Sequence, residues 1–68
     1  VNWCEEQRLL WITDTLRVFG FLNREHLQIK FGISQPQASK DLATYQRRFP
    51  HAMRYNLSAK RYEAATKG

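Results

Sequence analysis

The stretch that decides the fold runs from residue 31 to residue 45: Phe31-Gly32-Ile33-Ser34-Gln35-Pro36-Gln37-Ala38-Ser39-Lys40-Asp41-Leu42-Ala43-Thr44-Tyr45. Gly32 ends the helix before it, because glycine enters left-handed backbone at little cost. Ser34 then opens a new helix. Its hydroxyl can accept a backbone N–H of the first turn, and Gln37 completes an S-x-x-Q capping-box pattern. Pro36 falls in that first turn, where a missing N–H costs nothing. Pro50 disfavours helical backbone in the residue before it, so the helix is expected to run to about Arg48. Two helices joined by Gly32-Ile33-Ser34 make a helix-turn-helix. Leu27, Phe31, Ile33, Ala38 and Leu42 are its expected buried core, with Ala38 small enough to let the helices approach.

Toward the N-terminus, Leu9, Ile12, Leu16 and Phe19 recur at helical spacing and predict a first helix over 5–19. Leu10, Trp11 and Val18 widen its apolar stripe. Glu5 and Glu6 suit the positive end of the helix dipole, and Gly20 suits the stop. Asn23 reads as the N-cap of a short helix over 24–31, with Phe21 and Leu22 stapling its start. Toward the C-terminus the period changes to two: Met53, Tyr55 and Leu57 alternate with Arg54 and Asn56, a strand pattern. Ser58-Ala59-Lys60 reads as a polar turn, and Arg61, Tyr62, Glu63 and Ala64 as the returning strand. The expected fold is mainly α with a C-terminal β-hairpin: three helices plus a wing, a winged helix-turn-helix, in a single domain over 1–68.

A chain of 68 residues has room for one core. Its one cysteine, Cys4, cannot form an internal disulfide, and His26 and His51 stand far from it and from each other, without zinc-ligand spacing. Stability is therefore expected from packing alone, with neither cofactor nor metal. No apolar run approaches a membrane span, and no signal-peptide pattern is present. The lone thiol fits a reducing, cytoplasmic setting. The start at Val1 and the stop at Gly68 among polar residues read as a piece cut from a longer protein.

The formal net charge is +5, and its placement is uneven. Residues 1–20 carry two bases against three acids; residues 21–68 carry nine bases against three acids. This asymmetry points to a polyanionic partner for the C-terminal two thirds. With Ala38, Leu42 and Tyr45 inward, the opposite face of the third helix is expected to carry Gln35, Gln37, Ser39, Lys40, Thr44 and Arg47. Glutamine can pair with adenine through two hydrogen bonds, and lysine or arginine with guanine. Serine and threonine can meet phosphate or a thymine methyl. Asp41, beside the core stripe, is expected to serve an intramolecular base or backbone amide. The N–H groups following Ser34 suit a phosphate. Arg54, Lys60 and Arg61 place three bases about the hairpin, where they can contact phosphate backbone. The competing interpretations are an ordinary solvated helix face and edge-protecting bases on the wing.

The segments Phe31-Gly32-Ile33-Ser34-Gln35-Pro36-Gln37-Ala38-Ser39-Lys40-Asp41-Leu42, with Tyr45, and Pro50-x-x-Met53-x-Tyr55-x-Leu57-Ser58-x-Lys60-x-Tyr62 together resemble a known family. It is the N-terminal winged helix of bacterial WYL-domain transcriptional regulators, in particular the homodimeric phage-defence repressors of the BrxR and CapW kind. The resemblance covers nearly the whole chain. It implies sequence-specific binding to inverted-repeat double-stranded DNA, with the helix over 34–48 in the major groove and a wing over 53–64. It also implies further domains C-terminal to this one, a ligand-sensing module among them, and a homodimer whose contacts lie partly outside this stretch.

Two other functions compete with DNA reading. A winged helix used for protein–protein contact should expose aromatic side chains and fewer bases on the third helix. An RNA-binding winged helix should expose aromatics for base stacking; Tyr45, Tyr55 and Tyr62 are candidates, but the period directs Tyr45 and Tyr55 inward. Catalysis is not expected. Cys4, His26 and His51 lack triad partners and a phosphate loop, and so small a domain forms little cleft.

Overall fold

Helix α1 spans Trp3–Phe19, and Gly20, at φ 84°, ends it with its N–H on the Leu16 carbonyl at 2.9 Å. The chain then passes through a two-residue strand, β1 (Phe21–Leu22), into α2 (Arg24–Phe31). Asn23 caps α2 as its residue type predicts. Its Oδ1 accepts the His26 N–H, and its own N–H donates to His26 Nδ1, a full reciprocal box. Gly32, at φ 63°, closes α2 in the left-handed region. Helix α3 (Gln35–Arg48) begins at the Ser34 cap, and the hairpin of β2 (Met53–Asn56) and β3 (Arg61–Ala64) follows it. The structure is a computed structural model that describes residues 3–65. The ends of the expected 1–68 domain, residues 1–2 and 66–68, lie outside the described residues.

The three strands form one antiparallel sheet in the order β1-β3-β2. Phe21 pairs with Glu63 and Leu22 with Tyr62; across the hairpin, Met53 pairs with Ala64 and Tyr55 with Tyr62. Strand β1 was not foreseen. Two residues are too short for a period, and their extended backbone is held by β3, some forty positions away. The Ala64 N–H on the Gly20 carbonyl at 2.9 Å continues the same ladder.

The core gathers Leu9, Ile12 and Leu16 of α1, Leu22 of β1, Leu27 of α2, Ala38, Leu42 and Tyr45 of α3, and Met53 of β2. Of the expected staple at the start of α2, Leu22 is fully buried beside Leu27, whereas Phe21 is half-buried. Phe31 and Ile33 were expected inside and are half-buried, packed against the core edge; Phe31 meets Trp11 edge-on, with ring centroids 5.7 Å apart. Phe19, expected on the core face, is 70% exposed, and Leu10 and Val18 are exposed too. The apolar stripe of α1 outlasts the elements that cover it. Phe19 instead lines a surface recess of about 450 Å³ with Trp11, Phe21, His26 and Ile29.

The wing departs from strict alternation for a similar reason. Met53 is buried, but Tyr55, on the same face and nearer the tip, is 44% exposed because the helical layer does not reach it. It packs on its cross-strand partner Tyr62, centroids 4.9 Å apart. Leu57 is exposed in the turn and not in the strand. Asn56 starts that turn: its carbonyl accepts from Lys60 N–H at 2.7 Å and its side chain from Ala59 N–H at 2.9 Å. Lys60 closes the turn at φ 56°, a left-handed conformation uncommon outside glycine.

Candidate nucleic-acid interface

Three links tie α3 to α1 along one flank. The Arg8 guanidinium grips the Asp41 carboxylate with two bonds, Nε to Oδ2 at 2.5 Å and Nη2 to Oδ1 at 3.2 Å. Thr13 Oγ1 and the Tyr45 hydroxyl lie 2.8 Å apart, and Arg48 bridges to Glu6 at 2.8 Å. Hydrogen bonding to Asp41 raises the Arg8 pKa, and the Arg48 hydrogen bond holds the Glu6 carboxyl below its ordinary value. This flank of α3 is thus covered. The expected open face rotates accordingly: Thr44, expected outside, is buried, and Asp41 has no exposure at all.

The exposed stripe of α3 is Pro36, Lys40, Ala43 and Arg47, at helical spacings of four, three and four. Lys40 and Arg47 were expected there. Ala43 was missed, although a face drawn strictly opposite Ala38 and Tyr45 contains it. Gln35 is exposed at the helix start. Gln37 and Ser39 occupy the two shoulders, half-buried. Ser34 is exposed, and its Oγ accepts the Gln37 N–H at 3.2 Å. The second arm of the expected capping box does not form, because the Gln37 side chain turns to Asp41 and donates Nε2–H to Oδ1 at 2.9 Å. Arg47 reaches back toward Thr44 Oγ1 at 3.5 Å.

On the other shoulder, Arg24 Nη1 donates to Ser39 Oγ at 3.2 Å. Arg24 also lines, with Asn23, Glu25, Tyr55, Lys60 and Tyr62, a groove of about 400 Å³ between the start of α2 and the wing. Arg24 is the second residue the sequence reading missed. A signal existed: a base in the first helical turn opposes the helix dipole and asks for another reason to be there. Arg24 thus touches both Ser39, the chain neighbour of Lys40 on α3, and the groove that holds Lys60.

The wing bases divide. Lys60 and Arg54 are exposed and appear in no ion pair among the described residues. Arg61 is committed within the molecule: it bridges to Glu63 at 2.9 Å and lies 4.3 Å over the Phe21 ring. The Arg61 and Asn56 hydrogen bonds lower the Glu63 pKa. Among the described residues, no group of three or more His, Cys, Asp or Glu is arranged to hold a metal ion, and no helix is long and apolar enough to cross a membrane.

Three helices, a helix-turn-helix at α2–α3 and a three-stranded sheet whose β2–β3 hairpin follows α3 and shares a groove with the start of α2 define a winged helix-turn-helix domain. The family model for the BrxR transcriptional regulator winged helix-turn-helix domain matches residues 5–67. The chain belongs to that family. It is 42% identical over 63 residues to a protein of Escherichia coli (strain KTE188) named DNA-binding transcriptional repressor CapW, covering 93% of this chain and 21% of the relative. A CapW repressor of Pseudomonas aeruginosa is 40% identical over the same shares, and one of Stenotrophomonas maltophilia is 46% identical over 46 residues, 68% of this chain and 15% of the relative. The chain thus spans about a fifth of the length of the first two.

Proposed function

We propose that this domain is the sequence-reading head of a transcriptional repressor, binding double-stranded DNA with α3 in the major groove and the wing along the phosphate backbone. The observation that carries this reading is the acid-free stripe Pro36, Lys40, Ala43 and Arg47, with Arg24, bonded to Ser39 on the shoulder of α3, and Lys60 lining one groove nearby. The one carboxylate of α3 is withdrawn: Asp41 is fully buried under Arg8, so it does not repel phosphate. The relatives named DNA-binding transcriptional repressors support the same reading.

The parts take distinct roles. Lys40 and Arg47 supply donors that match guanine O6 and N7, and the Ala43 methyl suits a thymine methyl. Gln37 and Ser39 flank them. Arg24, Lys60 and Arg54 supply positive charge to phosphates, which set register and affinity without carrying sequence. Gln35 and Ser34 lie at the helix start, where backbone N–H groups favour a phosphate. In the longer regulator two such domains, brought together in a homodimer, read the halves of an inverted repeat.

Selection of bound duplexes from a random pool, using the whole regulator, tests the reading. An enriched inverted repeat is the expected result. Competition assays then separate the roles. Lys40→Ala should weaken the selected duplex by about 1–3 kcal/mol more than a scrambled one. Lys60→Ala should weaken both alike. Duplex binding without any enriched sequence, or no duplex binding, refutes the proposal.

A further inference from the structure

We infer that Arg8 and Asp41 are positioning residues that fix the polarity of the Gln37 side-chain amide, and so make Gln37 an adenine-selective reader. The inference rests on the DNA-reading function proposed above and deepens it.

An ionised carboxylate only accepts hydrogen bonds. The Gln37 side chain must therefore turn its NH₂ group toward Asp41, as it does at 2.9 Å to Oδ1. The opposite flip would set the amide oxygen against a carboxylate oxygen. Asp41 cannot swing away to relieve this, because both its oxygens are held by Arg8, which is anchored on α1 thirty-three positions earlier. Asp41 is fully buried and the Arg8 side chain is 14% exposed, so the restraint works with little screening by water.

What remains on Gln37 is one N–H and the amide oxygen, in known order. Adenine offers N7 as acceptor and its N6 amino group as donor, side by side in the major groove. The spare N–H can donate to N7 while the oxygen accepts from N6. Guanine offers two acceptors at those places and would face the Gln37 oxygen with O6. A freely flipping glutamine can turn its NH₂ toward guanine; a clamped one cannot. Gln37 is only half-buried, so its remaining edge is reachable beside Lys40.

Removing one member of a buried ion pair endangers folding, so the test removes both. Arg8→Met with Asp41→Leu replaces the pair by apolar side chains, a change that buried pairs commonly tolerate, and leaves net charge unchanged. Duplex selection and competition on the whole regulator compare it with wild type and with Gln37→Ala. Wild type should prefer adenine at one half-site position by roughly ten- to a hundred-fold over guanine, and Gln37→Ala should lose that preference. The double variant should lose at least ten-fold at the same position only, with scrambled-duplex affinity and salt slope unchanged. Gln37→Ala in the double background should then add almost nothing.

A folded double variant that keeps the full preference overturns the inference and leaves the DNA-reading function standing. So does a wild type that reads a sequence in which Gln37→Ala alters no position. A wild type with no sequence preference removes both. A second measurement needs no variant. In the full 68-residue chain, ¹⁵N relaxation should find the Gln37 side-chain amide rigid and that of exposed Gln35 mobile; equal mobility of the two overturns the inference.

Discussion

Replacing Arg8 alone should be among the most damaging single changes available in this domain. Asp41 has no exposure, and two of its three side-chain hydrogen bonds come from Arg8. In Arg8→Met the carboxylate keeps only the Gln37 amide and stays sealed from water. Breaking a buried pair this way costs about 3–5 kcal/mol. The reciprocal change is milder. In Asp41→Leu the Arg8 side chain, already 14% exposed, can move its guanidinium into solvent, so about 1–2 kcal/mol is expected. The double variant should fall within about 1 kcal/mol of wild type, because no charge is left buried. The cycle therefore closes with a coupling of several kcal/mol. Against a total stability of about 3–10 kcal/mol for a domain of this size, that loss takes a large share of what keeps the chain folded. Urea unfolding by circular dichroism measures all four corners. A loss below about 1 kcal/mol for Arg8→Met, or simple additivity across the cycle, would refute the argument that the link is buried and mutually dependent.

Other outcomes follow from single positions. Leu42→Ala, at a site 1% exposed, should cost about 2–5 kcal/mol in denaturant melts; a change of a few tenths would contradict its place in the core. Lys60→Gly should act in opposite directions in two assays. Relief of the left-handed backbone at φ 56° should raise stability by about 0.5–1 kcal/mol. Loss of one phosphate contact should lower DNA affinity and reduce the salt slope by about one; a drop in both stability and affinity would count against the turn geometry. The Glu6 carboxyl, lowered by its Arg48 hydrogen bond, stabilises the fold above the unfolded carboxylate value of 4.5, and that contribution is lost as pH falls through the lower folded value. Glu6→Gln should therefore lower stability slightly near neutrality and converge on wild type in acid, flattening the acid limb of a stability–pH curve; identical curves for the two proteins would contradict the link to Arg48.

The helix boundaries were legible because their causes are local. Asn23 and Ser34 cap with their own side chains, Gly20 and Gly32 take left-handed backbone, and Pro50 restricts its neighbour; each acts within one turn. The hairpin was legible from its period of two, and Leu9, Ile12, Leu16, Leu27, Ala38 and Leu42 from theirs of three and four. At the candidate site, Lys40, Arg47 and Lys60 were placed on the surface correctly for the same reason.

What escaped depends on which parts of the chain meet. Strand β1 exists only through β3, and Phe19 and Tyr55 are exposed because no element reaches over them. Thr44 is buried, and Arg8 and Glu6 of α1 lie along that flank of α3, which turns the open stripe toward Ala43. Arg61 is held by Glu63 and Phe21 across the sheet. Asp41 was expected to hold a base or a backbone amide, yet nothing near it named Arg8, thirty-three positions away. Periodicity states which side chains share a face of one element. Whether that face meets water, a second helix or a charge of opposite sign is set by the packing of elements distant in the chain.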